Sequence, residues 1–265
     1  MERPTPHNCL RTLFLSDLHL GALGCKADLI LAFLRDHPAE TYVLAGDILD
    51  LWQPLLPHWT ARDQAVVDHL RAEAAAGARL IVLRGNHDPE PDAAPAGQQI
   101  ASGGVMERII HTAADGRRYL VLHGDQVDAR WLRAHVFTRL GSRIDHLLRR
   151  LDRGLKGWRR RSAPEARSLI EALLSGVNRI AYARRQHERR LVALARMAGV
   201  DGVICGHFHL PALHQDHGLI YGNCGDWVDS FTALAETPEG DLRLLAAVAE
   251  RAPKTAEQFG LAGQA

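Results

Sequence analysis

Seven side chains carry the donor chemistry of this sequence: Asp17, His19, Asp47, Asn86, His123, His207 and His209. Carboxylate, amide and imidazole donors in one set suit Mn²⁺, Fe²⁺ or Zn²⁺, with Mn²⁺ the leading expectation. A soft-thiolate site would need cysteines instead. Seven donors are too many for one tetrahedral ion and suit two ions that share a carboxylate. Two metals about 3.5–4 Å apart clamp the oxygens of an in-line displacement, and they lower the pKa of a bridging water until it is hydroxide near neutrality.

Five apolar runs must position these donors. Leu13-Phe14-Leu15-Ser16 ends in Asp17-Leu18-His19, and Tyr42-Val43-Leu44-Ala45 ends in Gly46-Asp47-Ile48-Leu49-Asp50. Leu80-Ile81-Val82-Leu83 ends in Gly85-Asn86-His87-Asp88, Tyr119-Leu120-Val121-Leu122 in His123-Gly124-Asp125, and Val203-Ile204-Cys205 in Gly206-His207-Phe208-His209. A β-rich apolar run that stops at glycine and polar residues has the profile of a buried strand delivering side chains to a loop. In open α/β architectures the sites lie beyond the carboxyl ends of the strands. Helical patterns alternate with the first strands: residues 28–35 with Leu29, Ile30, Phe33 and Leu34 on one face, and residues 61–76 ending at Gly77 as a C-cap. That alternation predicts βαβ units. Asp115-Gly116 predicts a hairpin between two later strands. Short strands continue from Asp201 to about Ala247, with turns at His217-Gly218 and Glu239-Gly240.

Helical spacing interrupts the strand pattern over roughly residues 129–198, as in Trp131, Leu132, Val136, Leu140, Ile144 and Leu147, and Ser162-x-x-Glu165 reads as a capping box. The chain is thus expected to be a single domain over 1–265 with a helical insertion at about 129–198 and a frayed tail at 250–265. Net charge is only +1 in 265 residues, but the insertion concentrates basic residues, among them the run Arg159-Arg160-Arg161. The plainer reading of that run is a solvated helical face. The functional one is a cap whose apolar inner faces accept acyl chains and whose basic rim rests on anionic lipid. Cys9, Cys25, Cys205 and Cys224 form no Cys-x-x-Cys pair, which predicts reduced thiols and a reducing compartment. No apolar run is long enough for a signal peptide or a membrane span, so a cytoplasmic location is expected.

Each block also has an ordinary explanation. A lone Asp-x-His is weak, Gly-Asp at a strand end is mostly a turn, and Gly-Asn-His-Asp can be a turn before a capped helix. Five such blocks, each after an apolar strand, exceed coincidence. His58, His69, His146, His187 and His214 keep the ordinary reading of surface or helix-face residues.

At these blocks the sequence resembles the calcineurin-like metallophosphoesterases, whose pattern is Asp-x-His, Gly-Asp-x-x-Asp, Gly-Asn-His-Asp/Glu, a later His, and Gly-His-x-His. The resemblance implies an α/β fold, a four-layer αββα sandwich with two metals at one edge, here with a helical cap insertion. It implies that Asp17, His19, Asp47 and His209 bind one metal and that Asp47, Asn86, His123 and His207 bind the other. His87 would then be catalytic without being a ligand, facing the phosphoryl oxygen or leaving group, with Asp50 orienting its ring. A carboxylate fixes an imidazole tautomer and favours its protonated form.

The opening Leu-Phe-Leu-Ser-Asp-Leu-His-Leu-Gly, the His123-Gly124-Asp125 block and the helical insertion look like the UDP-2,3-diacylglucosamine hydrolases of lipid A synthesis. That resemblance implies cleavage of a pyrophosphate to UMP and 2,3-diacylglucosamine 1-phosphate, by an enzyme peripheral on the cytoplasmic face of the inner membrane. The run Asn223-Cys224-Gly225-Asp226-Trp227 is similar to a second branch often grouped under the same name. The best-known lipid A members carry Arg at the position of His87. Two other readings stay open: a phosphoesterase of the same chemistry on another nucleotide, sugar-nucleotide or phosphodiester, and a scaffold that binds protein partners. No specific nucleic-acid partner is expected.

Overall fold

The computed structural model describes residues 9–22, 24–50, 59–89, 100, 104–127 and 185–247. The stretch before Arg185 in the expected insertion, most of the 89–104 loop and the 250–265 tail lie outside the described residues, as do His58 and His146. The elements are β1 (Leu10–Leu15), α1 (Ala27–Asp36), β2 (Ala39–Ala45), α2 (Ala61–Ala75), β3 (Arg79–Leu83), β4 (Arg108–Thr112), β5 (Arg118–Leu122), a 3₁₀ turn (Asp125–Val127), α3 (Gln186–Met197), β6 (Gly202–Cys205), β7 (Ala212–His214), β8 (Ile220–Asn223), β9 (Thr232–Glu236) and β10 (Leu242–Ala246).

The strands form two five-stranded sheets, in the orders β10-β9-β1-β2-β3 and β4-β5-β6-β8-β7. The expected βαβ units are present: β1 pairs parallel with β2 and β2 with β3, through α1 and α2. Parallel pairs also join β5 to β6 and β6 to β8. All five donor-bearing strands therefore run the same way within their sheets as their parallel neighbours do, and their carboxyl ends gather at one edge. The expected hairpins close at Gly116, Gly218 and Gly240, each with positive φ.

Strand periodicity sorts the side chains into three cores. In β1 and β2, Leu13, Leu15, Tyr42 and Leu44 face α1 and α2, packing on Ile30, Phe33, Leu34, Val66, Val67 and Leu70. The alternate residues Phe14, Val43 and Ala45, with Ile81 and Leu83, meet Tyr119, Val121 and Ile204 of the other sheet. Leu120, Leu122, Val203 and Cys205 point outward from that sheet onto Leu191, Val192 and Ala195 of α3. Three cores separate four layers, which is the expected αββα sandwich. Each buried Leu, Ile, Val or Phe contributes about 1.5–3 kcal/mol by leaving water, so both strand faces hold the sheets against their neighbours. α3 falls within the expected 129–198 insertion, and it forms the outer layer on the second sheet.

Local signals set the helix ends. Thr60 caps α2 by accepting the amides of Arg62 and Asp63, while the Asp63 carboxylate accepts the Thr60 amide. In α1 the buried face is Ala27, Ile30, Phe33 and Leu34; Leu29, expected on that face, is only half-buried. No helix among the described residues is long and apolar enough to cross a membrane.

Candidate metal centre

The loops after β1 and β2 continue side by side beyond the strands. Asp17 N–H donates to the Gly46 carbonyl (3.0 Å), His19 N–H to Asp47 (3.1 Å) and Asp50 N–H to Leu20 (2.9 Å). These bonds hold the two loops in register and carry Asp17, His19, Asp47 and Asp50 past the end of the sheet as a unit. Within the second sheet, Gly206 N–H donates to the His123 carbonyl (2.9 Å) and holds the β6 and β5 loops together, and His123 Nδ1 ties them to the first sheet at the Ala45 carbonyl (2.9 Å).

Five of the seven expected ligands adopt left-handed backbone: Asp17 (φ 54°), His19 (48°), Asp47 (53°), His207 (67°) and His209 (54°). Among the described residues only Arg185 and Phe231 share this state without being glycine. Such conformations cost about 1–3 kcal/mol each and persist where surrounding structure over-determines them, most often at functional sites. Here the over-determination is visible. The backbone amides of His207 and His87 donate to Asp17 Oδ2 (2.8 Å) and Asp47 Oδ1 (2.7 Å). Gly206 and Gly85 permit that approach, since a Cβ at Gly206 would lie 1.8 Å from Ser16 Oγ and one at Gly85 would lie 2.2 Å from Asp47 N.

The side chains form three convergent groups, in each of which one donor atom per residue lies within 4.8 Å of the others: Asp17, His19 and His209; Asp47, His123 and His207; and His19, Asp50 and His87. His209 Nε2 is 3.1 Å from Asp17 Oδ1, and His123 Nε2 is 3.2 Å from both Asp47 Oδ2 and Asn86 Oδ1. His123 donates Nδ1–H to the Ala45 carbonyl (2.9 Å), which fixes the tautomer that leaves Nε2 free to ligate. The structure thus brings all seven expected ligands to one edge, with Asn86 joining the second group through His123. His87 and Asp50 lie beside them: His87 Nδ1 is 3.7 Å from one Asp50 oxygen, and His19 Nδ1 is 3.8 Å from the other.

These groups fit divalent cations. His19 Nε2 is buried with no hydrogen-bond partner among the described residues, and Asp17 Oδ1 beside it meets only the His209 ring. A buried acceptor and a buried ring nitrogen left facing the same space are what a cation would satisfy. The charge balance agrees. Burial opposes ionisation of Asp17 and Asp47, yet the histidines beside them hold both carboxyls well below the usual range. Burial likewise opposes charge on His123 and His209, but the carboxylates push them up to about 10 and about 9. Those ring protons occupy positions that a metal would take, releasing them on binding. His19 is pulled down instead, by burial and by the charge of His87. For His87, burial is outweighed by Asp47 and Asp50, and its value rises to about 9.

Three supporting residues were not assigned a role from the sequence. Asp88 ends the Gly-Asn-His-Asp block, and its two oxygens accept the backbone amides of Asp47, Ile48, Leu49 and Gly85 at 2.8–2.9 Å. It staples the β2 loop to the β3 loop. Burial and the nearby Asp47 charge raise its carboxyl to about 6. Ser16 donates to Asp17 Oδ2 (2.5 Å). Asp226, fully buried, has one oxygen 3.8 Å from His209 Nδ1. The position of Asp88 inside a donor block was the available signal; Asp226 is 17 residues beyond His209, and spacing gives no hint of their proximity. Of the histidines read as ordinary, His187 is on a helix face as expected but buried, with its ring 4.3 Å from that of Phe208.

Comparison with known proteins matches residues 10–211 to the calcineurin-like phosphoesterase family. A protein of Nitrosococcus oceani named UDP-2,3-diacylglucosamine hydrolase is 29% identical over 257 residues, covering 87% of this chain and 93% of that protein. One of the same name from Ralstonia nicotianae is 29% identical over 235 residues, 81% of this chain and 82% of that protein. Among solved structures, the E. coli phosphoesterase YfcE aligns over 89% of this chain and 98% of its own, at 15% identity and a TM-score of 0.45.

Proposed function

Because the chain belongs to the calcineurin-like phosphoesterase family, and is a phosphoesterase, we propose that it hydrolyses the pyrophosphate of UDP-2,3-diacylglucosamine, releasing UMP and 2,3-diacylglucosamine 1-phosphate. The observation that carries the reading is the pair of His/Asp groups converging on one edge, together with relatives of that name over most of the chain. In this reading Asp17, His19, Asp47 and His209 hold one divalent ion and Asp47, Asn86, His123 and His207 the other, with Asp47 shared. When bound, two such ions, Mn²⁺ first among the candidates with Fe²⁺ or Zn²⁺ as alternatives, would supply activation of a water and charge neutralisation at phosphorus.

The chain's own residues supply the rest. His87 Nδ1 lies 3.7 Å from an Asp50 oxygen, whose charge favours the protonated ring. It can donate to a phosphoryl oxygen or to the departing phosphate, where charge accumulates. Asp50 orients that ring and counters its charge. The part of the expected 129–198 insertion that precedes α3 is assigned to acyl chains and to peripheral contact with anionic membrane at the cytoplasmic face. Its support is its sequence, since residues 128–184 lie outside the described ones.

The test is a side-by-side assay of purified protein with Mn²⁺ against UDP-2,3-diacylglucosamine, UDP-sugars and an aryl phosphodiester. The expected result is a kcat/KM for the lipid nucleotide at least tenfold above the others, since each buried acyl methylene contributes about 0.8 kcal/mol. A protein that cleaves the simple diester well and never the lipid nucleotide would belong to the broader phosphodiesterase reading.

A further inference from the structure

We infer that Asp226 is a positioning residue for His209, facing the Nδ1 side of the ring so that Nε2 is presented at Asp17; this rests on the metal reading above. His209 lies between two buried carboxylates, with Nε2 3.1 Å from Asp17 Oδ1 and Nδ1 3.8 Å from Asp226 Oδ1. A histidine that ligates through Nε2 must carry its neutral-state proton on Nδ1. A carboxylate on that side favours this tautomer and makes the ligating nitrogen more basic. At 3.8 Å the influence is that of a nearby charge rather than a formed hydrogen bond.

Asp226 is itself rigidly held. Oδ1 accepts the amides of Val228 (2.8 Å) and Asp229 (2.6 Å), Oδ2 accepts the Ser230 hydroxyl (2.8 Å), and its own amide donates to Ser230 Oγ (2.8 Å). Trp227 N–H donates to the Asp17 carbonyl (3.1 Å), so the same turn is tied to the loop that bears the other ligand. Asn223 of the same run holds the remaining loop, its amide donating to the Gly206 carbonyl (3.0 Å). An asparagine could keep the two amide bonds at Oδ1 and meet Ser230 Oγ with its Nδ2 as the donor, so the turn can be held without a full charge. A full charge at a wholly buried position is costly unless something nearby uses it. His209, and the cation that His209 would bind, are what faces it.

The experiment is calorimetric titration of metal-free protein with Mn²⁺ alone, with thermal melting of the same samples. Wild type should take up two equivalents. Asp226→Asn should keep the melting temperature of the metal-free protein, weaken one equivalent by about 10–100-fold and leave the other unchanged. Added to His209→Ala it should cause no further loss, because its effect passes through that ring. Ser230→Ala, which loosens the turn but keeps the charge, should bind both equivalents as wild type does. Wild-type affinity in Asp226→Asn, additive loss in the double variant, or equal weakening of both equivalents in Asp226→Asn and Ser230→Ala would overturn the inference and leave Asp226 a turn residue. A wild type that binds fewer than two equivalents would overturn the metal reading and this inference with it.

Discussion

Two buried carboxylates at opposite ends of the first sheet meet histidines in different ways. Glu236, opposite the start of β1, is wholly buried, and all its demands are met. It accepts from His111 Nε2 (2.7 Å) and the Ala114 amide (2.8 Å), and Arg11 Nε lies 3.1 Å away. Asp17, just past the end of the same β1, is equally buried, but its Oδ1 meets only the ring of His209 (3.1 Å), His19 Nε2 beside it lacks a hydrogen-bond partner among the described residues, and both residues sit in left-handed backbone. The Glu236 cluster joins the two sheets by ordinary satisfied ion pairing. The Asp17 edge holds a partly satisfied set of donors in place at a conformational cost. Burial of charge alone therefore does not mark a functional site; strain together with orphaned donor atoms does.

The largest test of this contrast is Asp47→Ala. On the proposed two-metal reading Asp47 holds both ions, so its loss should remove both from the protein, as read by metal analysis. Activity should fall about a thousandfold or more, matching several kcal/mol of lost charge stabilisation. Full activity with a single ion in wild type would break the two-metal side of the comparison.

His87→Ala should lower kcat by about 10²–10⁴-fold, the range for a positioned acid, while metal content stays near wild type. Asp50→Asn should give a milder form of the same defect. Metal loss in His87→Ala would make that histidine a ligand instead. Asp88→Ala leaves four loop amides without their acceptor. It should cost about 1–3 kcal/mol of stability in chemical denaturation and weaken metal uptake together with it.

The smallest effect belongs to the satisfied end. Glu236→Gln should destabilise by about 1–3 kcal/mol at neutral pH and leave kcat unchanged. Burial raises the Glu236 carboxyl, but hydrogen bonds from His111, Thr12 and the Ala114 amide outweigh it and hold the value below the ordinary 4.5. A depressed carboxyl contributes stability that is present above 4.5 and is lost as pH falls through the folded-state value. The gap between wild type and Glu236→Gln in denaturation midpoints should therefore close in that acidic window. A gap that widens on acidification would reverse the assignment.

The sequence by itself determined the strands and the candidate donors at their ends, because a buried strand must be apolar and its polar terminus stands out against it. The hairpin at Asp115-Gly116 and the alternation of β1 to β3 with α1 and α2 were equally legible, since turn chemistry and periodicity are local. Only the tertiary structure decided which strand face meets which layer, and that the helix Gln186–Met197 lies on the second sheet. An amphipathic helix has the same period whatever covers its apolar face. The roles of Asp88 and Asp226 were likewise hidden. Asp88 acts on backbone amides 39–41 residues away, and Asp226 reaches His209 only because the turn after β8 folds back against the Asp17 loop. Contacts between distant loops leave no trace in spacing; they exist once parallel strands have brought their carboxyl ends to one edge.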